Sequence, residues 1–347
     1  MSNINIFEKY KLEHLDIEIT RECNLDCYHC SAGIERIGYN ITQNDIKSIL
    51  SEAKSLGLNK VGFTGGETLL HFQDLQDLTF FSKQKLGLDV HIHSNGCLIT
   101  PEIAQWVSKS NVDMTVTVLG HTEKCHDAIT NVNGSLKLTM TGLQHLLNEK
   151  ATISIFIVPM KENIKEIPSL IMLLHDMGCE DIRILSFSPT GKALSNFLKY
   201  VPSQKEIDQL NEEFYKIQNE LDITLNAGFC TRFNHPNLNI RKGHNYCYAA
   251  QNRVHIDGFG NVFPCTAASG RLVFSAGNVM LSETSLTEIW RHSPLFNYIR
   301  KYHENPDTKC LRCDRYKECM GGCRVMMAYY HNDFSISNPD CGGPFTN

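Results

Sequence analysis

The chain has 347 residues, 42% hydrophobic and 20% charged, with a formal net charge of −5. That is the make-up of a globular protein of about two domains, and its mildly acidic balance excludes the basic footprint of a nucleic-acid binder. The opening MSNINIFEKYKLEHLDIEIT breaks each apolar run with a charge and is no signal peptide, and the longest apolar run, TISIFIVPM, is too short for a membrane span. The expected location is therefore the cytoplasm, with neither membrane nor nucleic acid as partner. Disulfides are rare there, so fourteen cysteines point to metal.

From Leu15 to about residue 190, strand-like and helix-like segments alternate. LDIEIT, KVGFTG, LDVHIHS, MTVTVL, TISIFIV and DIRILSF are short runs rich in Val, Ile, Thr and Phe. The clearest helix between them starts after Thr42 as N-cap, carries Ile46, Ile49, Leu50, Ala53 and Leu56 on one face, and stops at Gly57. Thr100 followed by Pro101 opens another. Regular strand–helix alternation means parallel strands with right-handed crossovers. The expected fold class is α/β, with residues 1–195 forming an open, partial (β/α)6 barrel. A helical linker over 196–240 begins with the capping box Ser203–Glu206 and runs to about Leu221. The remainder, 241–347, reads as a small, turn-rich, cysteine-rich domain held by metal, with one helical segment at TSLTEIWRH.

Chemistry-bearing residues gather where strands end, which is where active sites of such folds lie. The stretch RECNLDCYHC follows the first strand and holds Cys23, Cys27 and Cys30. Three thiolates leave a coordination position open, whereas a structural site closes with four ligands. The second strand ends in Gly65, Gly66 and Glu67, two glycines for close backbone approach to a ligand and a carboxylate to accept from an ammonium group. The third ends in Ser94, Asn95 and Gly96, and the fourth carries Thr117. Cys97, Cys125 and Cys179 read as small hydrophobes, and HIHS as strand alternation.

The spacing C-x3-C-x2-C after one strand and GGE after the next resembles the radical S-adenosylmethionine (radical SAM) superfamily, and the resemblance spans nearly the whole chain. It implies that Cys23, Cys27 and Cys30 hold a 4Fe–4S cluster whose fourth iron binds S-adenosylmethionine. Reductive cleavage of that cofactor would give a 5′-deoxyadenosyl radical that abstracts a substrate hydrogen. The resemblance assigns Gly65, Gly66 and Glu67 to the methionine end of the cofactor, Ser94 and Thr117 to its ribose, and His29 to the adenine. It names no further catalytic side chain. A flavodoxin or ferredoxin would donate the electron.

Taken alone, CLRCDRYKECMGGC also fits a zinc ribbon. With Cys247 and Cys265 before it and Cys341 after it, the pattern resembles the SPASM extension, which carries up to two auxiliary clusters. The resemblance implies that Cys310, Cys313, Cys319 and Cys341 hold the outer one, and that Cys247, Cys265 and Cys323 hold the inner one. Cys230 is the candidate for its fourth ligand; otherwise the inner cluster has an open iron.

Radical SAM chemistry with this extension implies modification of a ribosomally made peptide by crosslinking, thioether formation, epimerisation or decarboxylation. Sulfatase maturases place Asp after the second SPASM cysteine, and this chain has Thr266, which disfavours that role. The first strand begins near residue 15, which leaves no room for a fused leader-binding domain, so a precursor peptide would need a separate leader-binding protein or would dock directly. Enzymes that trim tetrapyrroles on the haem pathways share the two-part layout and are the alternative. A non-catalytic iron–sulfur or zinc module is the alternative from another class, though it has no use for GGE.

Overall fold

The computed structural model describes residues 9–32, 41–221, 226–227, 247–282, 284–305, 308–313, 316 and 321–335. The six expected strands are β1 (His14–Thr20), β2 (Lys60–Gly65), β3 (Asp89–Ser94), β4 (Asp113–Thr117), β5 (Ile153–Ile157) and β6 (Ile182–Ile184), neighbours in that order and all parallel. Between them run α1 (Gln43–Ser55), α2 (Phe72–Phe80), α3 (Pro101–Ser110), α4 (Glu123–Thr130), α5 (Ser135–Asn148) and α6 (Ile167–Asp176). No helix among the described residues is long and apolar enough to cross a membrane.

Local signals set the helix starts. Thr42 accepts from Asp45 N while Asp45 reaches back to Thr42 N, a capping box ahead of the buried Ile46, Ile49, Leu50 and Ala53. Thr100 caps α3 with Pro101 in its first turn. Ser203 and Glu206 exchange hydrogen bonds at the start of α7 (Gln204–Leu221).

The sheet does not stop at six strands. β7 (Asn226–Ala227) pairs parallel with β6. At the other edge β8 (Arg253–Ile256) pairs parallel with β1, His14 opposite Arg253 and Asp16 opposite His255. β9 (Asn261–Phe263) and β10 (Gly277–Asn278) then extend it antiparallel. The cysteine-rich stretch thus shares one sheet with the barrel, across the boundary expected near residue 241. It is also more helical than its sequence indicated. Besides α8 (Leu286–His292) it has α9 (Pro294–Glu304) and α10 (Arg324–His331). Glu52 of α1 accepts from Thr287 N (2.7 Å) at the start of α8, and the Trp290 indole donates to Tyr10 O (3.1 Å).

Strand alternation divides the sheet into two chemistries. Leu15, Ile17, Val61, Phe63, Val90, Ile92, Val254 and Ile256 turn outward into one core shared with the helices. Their alternates line the concave face, and on β1 these are His14, Asp16 and Glu18.

Two buried carboxylates there join the C-terminal stretch to the barrel. Glu18 is 2% exposed; its Oε2 accepts from Arg21 Nε (2.9 Å) and Gly258 N (3.1 Å), its Oε1 accepts from Ser269 Oγ (3.3 Å), and His255 stands 3.4 Å away. Burial raises its pKa, but the bond and charge of His255, then Arg21, outweigh burial and hold it at about 2 against an ordinary 4.5. Asp16 accepts from His14 Nε2 (2.9 Å) and Thr266 Oγ1 (3.0 Å), with Arg253 Nε 3.8 Å away.

A carboxylate whose pKa is depressed by folding stabilises the fold fully above its unfolded value and loses that contribution as pH falls through its folded value. Unfolding free energy measured in denaturant should therefore drop between pH 4.5 and about 2. Glu18→Gln should lower it at neutral pH by on the order of 3 kcal/mol, because Arg21 loses a buried carboxylate partner. Wild-type stability in that variant would remove Glu18 from this role.

Candidate active site

The cysteine loop is seated by backbone contact at the ends of β1 and β2. Gly66 N donates to Thr20 O (2.8 Å), and Glu67 N donates to Glu22 O (2.8 Å). A Cβ on Gly65, whose φ is +139°, would stand 2.0 Å from Thr20 O, and one on Gly66 2.0 Å from Glu22 O. The close approach that these glycines permit is to the chain's own loop ahead of Cys23, a neighbour that a sequence reading centred on a ligand had no means of finding.

Glu67 is fully buried. Its Oε1 accepts from Ser94 Oγ (2.9 Å) and Leu69 N (3.1 Å), and its Oε2 accepts from Asn95 N (2.7 Å). Burial pushes this carboxyl up, and those three donors oppose the rise. Ser94 spends its hydrogen on Glu67 and accepts from Gly96 N (3.0 Å). Asn95 carries the connection onward, since its side-chain amide donates to Asn24 Oδ1 (2.7 Å) and lies 3.9 Å from Cys23 Sγ. The structure therefore joins Cys23, Glu67 and Ser94 through Asn95 and Asn24. Sequence reasoning had noted Asn95 only as a polar group beside a turn; the signal was an Asn-Gly step directly after a strand whose neighbour ends in a carboxylate.

The other expected cofactor contacts stand apart from this chain of bonds. Thr117 closes β4, half-buried and opposite Phe156. His29 lies edge-on to Tyr28 with ring centroids 6.4 Å apart, and its buried Nδ1 has no hydrogen-bond partner. Burial, with His126 adding to it, lowers its pKa to about 4, so this imidazole is neutral. Cys23, Cys27 and Cys30 are all partly buried, and Cys23 Sγ accepts from Leu25 N (3.4 Å). Three thiols on one loop at a strand end are a donor set that fits an iron–sulfur cluster. Cys125 and Cys179 are buried in apolar clusters, and Cys97 is half-buried against Thr139 and the Ser135 carbonyl.

Below the loop, the concave face is polar. His91 Nε2 lies 2.6 Å from Thr115 Oγ1 and its ring 4.7 Å from that of His93, which in turn faces Phe156 at 5.7 Å. Burial, then His91, lowers the pKa of His93 to about 3. Asp16 Oδ1 lies over Gly62, where a Cβ would come within 2.2 Å of it, so a larger residue there would displace the Asp16 carboxylate.

Of the C-terminal cysteines, Cys265 approaches this face most directly through its neighbour. Cys265 lies next to Thr266, which is bonded to Asp16. Burial pushes the Cys265 thiol far up, and the charges of Cys323 and Cys247 add to the shift, so these three sit within electrostatic reach of one another. Cys310 and Cys313 share one turn of chain, Cys313 N donating to Cys310 O (3.1 Å). Cys230, Cys319 and Cys341 lie outside the described residues. Among the described residues, no three His, Cys, Asp or Glu side chains converge as a single metal ion would require.

Residues 17–174 match the radical SAM superfamily model, and 247–314 match SPASM, an iron–sulfur cluster-binding domain. An AdoMet-dependent heme synthase from Nitratidesulfovibrio vulgaris is 27% identical over 342 residues, covering 93% of this chain and 90% of that protein. A PqqA peptide cyclase from Gluconobacter oxydans is 24% identical over 329 residues, 93% of this chain and 88% of that one. Among solved structures, Streptococcus suis SuiB bound to its precursor peptide SuiA is similar with a TM-score of 0.75 at 20% identity, over 96% of this chain and 76% of that one. The protein anSMEcpe with bound AdoMet gives 0.71 at 16% identity, over 94% and 93%. At such identities the structural likeness establishes the fold.

Ser94→Ala removes a donor from a fully buried carboxylate and should cost about 1–2 kcal/mol in urea unfolding, before any cofactor is added. A neutral result would mean that the hydroxyl's work lies elsewhere.

Proposed function

The chain belongs to the radical SAM superfamily and carries a SPASM domain, and we propose that it uses S-adenosylmethionine to abstract hydrogen from a ribosomally made peptide and so modify it. The observation that carries this reading is the placement of cysteines about β1. Three leave its carboxyl end, while Cys265 is tied through Thr266 and Asp16 to its lower half. A substrate in the lumen would lie between the two sets.

Cys23, Cys27 and Cys30 would hold the 4Fe–4S cluster, and Cys247, Cys265 and Cys323 an auxiliary one, with Cys310, Cys313, Cys319 and Cys341 for the outer cluster. When bound and reduced, such a cluster would supply the electron for reductive cleavage of S-adenosylmethionine. The chain's own residues do the positioning. Glu67, fixed by Ser94, Asn95 and Leu69, retains accepting capacity for an ammonium group. His29, neutral and edge-on to Tyr28, offers a flat surface for a base. A flavodoxin or ferredoxin would deliver the electron, and a separate leader-binding protein would recruit the peptide.

The peptide cyclases among the relatives support the peptide reading. The heme synthases, at 26–27% identity over about nine-tenths of the chain, favour a second one, a tetrapyrrole whose side chains are modified.

Protein reconstituted without oxygen should bind about twelve irons, fewer if the inner site has three ligands, and should release 5′-deoxyadenosine slowly without substrate. Changing Cys23, Cys27 and Cys30 together to Ala should remove about four irons and abolish that release. Mass spectrometry of peptides encoded beside the gene, run in parallel with a carboxylated iron porphyrin, separates the two substrates. Stoichiometric zinc without labile sulfide would overturn the whole reading.

A further inference from the structure

The loop after β6, which contains SPTGKA, contacts the three-cysteine loop although β1 and β6 stand at opposite ends of the six-stranded run. Lys192 N donates to Cys30 O (3.0 Å), and Lys192 Nζ pairs with Asp26, which lies between Cys23 and Cys27. Gly191 has φ +55°, and a Cβ there would come within 2.3 to 2.6 Å of the carbonyl oxygens of Ala32, Ser31 and Cys30. No other residue fits so near that backbone. On its far side, the cysteine loop is held by Asp26 N donating to Thr130 O (2.9 Å) and Tyr28 N donating to Ile129 O (3.3 Å).

The same segment also reaches the C-terminal stretch. Tyr28 stacks on Tyr200 with centroids 4.1 Å apart, and both pack, with Met326, against a separate buried cluster that includes Phe187, Ala193 and Phe197. Phe197 meets Tyr329 and Tyr330 at 6.1 and 6.2 Å. Met326, Tyr329 and Tyr330 belong to α10, whose N-cap is Cys323. One continuous set of contacts therefore runs from Cys27 and Cys30 through residues 191–200 to the helix that starts at an auxiliary cysteine.

We propose that the segment Gly191–Tyr200 is a positioning bridge that sets the three-cysteine loop by reference to the C-terminal helix, with Lys192 and Gly191 as its grip. This rests on the radical SAM reading of Cys23, Cys27 and Cys30. Lys192 acts through Asp26 and the loop backbone and is a positioning residue. An unclamped loop lets the cysteines shift relative to Glu67, and shifts of an ångström cost binding and rate steeply.

The test uses reconstituted holoenzyme with S-adenosylmethionine alone, so no substrate need be known. Lys192→Met should retain its iron and its melting temperature, bind S-adenosylmethionine about tenfold more weakly, and show a smaller cofactor-induced change in the electron paramagnetic resonance spectrum of the reduced cluster. Lys192→Arg should restore both. Asp26→Asn, which leaves the backbone bonds in place, should reproduce the methionine variant. Wild-type affinity and spectrum in Lys192→Met or Asp26→Asn would overturn the bridge while leaving the radical SAM reading intact. A wild-type protein without iron, or with a spectrum indifferent to S-adenosylmethionine, would overturn both.

Discussion

Two negative charges buried on one strand govern the rest of this molecule. Asp16 and Glu18 point from β1 into the concave side of the sheet, almost fully out of water. An isolated buried carboxylate costs many kcal/mol, and pairing and hydrogen bonding offset that cost only when the partners are held in place. Here most partners come from far along the chain: Arg253, His255, Gly258, Thr266 and Ser269. The first strand of the barrel is incomplete without the cysteine-rich stretch, and that stretch is positioned by its obligation to those charges. Hydrophobic packing alone would let β8 slide along β1; carboxylates with directional donors fix the register.

This constraint explains what the sequence disclosed and what it concealed. Six strands, the caps at Thr42, Thr100 and Ser203, and the apolar face of α1 were legible because each depends on neighbours within a few residues. β8 was concealed because its run, RVHI, is short and half polar, and only the distant Asp16 and Glu18 make sense of its Arg and His. The α9 helix has an N-cap serine and Pro294 in its first turn, so its start was readable; its apolar residues are interleaved with Arg300 and His303, which the fold buries, and that blurred the pattern. Arg300 is buried between Tyr10 and Trp290 and donates to the Ala250 and Trp290 carbonyls, an arrangement with no local signature.

The candidate site shows the same division. The three cysteines and GGE stand out by spacing, and their residue types fit the chemistry that the family performs. Their immediate surroundings did not stand out. Gly65 and Gly66 are glycine because of Thr20 and Glu22, and Glu67 is held by Ser94 and Asn95. Each of these is a contact between ends of different strands. Motifs report the group that does the chemistry; the residues that aim it are scattered among loops, and only the parallel sheet gathers them.

The inner face also explains why net charge says so little about the substrate. Four acids on or near it, Asp16, Glu18, Asp113 and Asp181, are matched by Arg253, Arg21, Lys60 and Arg183, at 2.5 to 3.8 Å. The histidines on this face whose shifts are resolved, His14, His91 and His93, are all pushed toward the neutral form, with burial as the first cause. Among the described residues, these four pairs largely cancel one another's fields. The paired charges are committed to each other and to holding the sheet together.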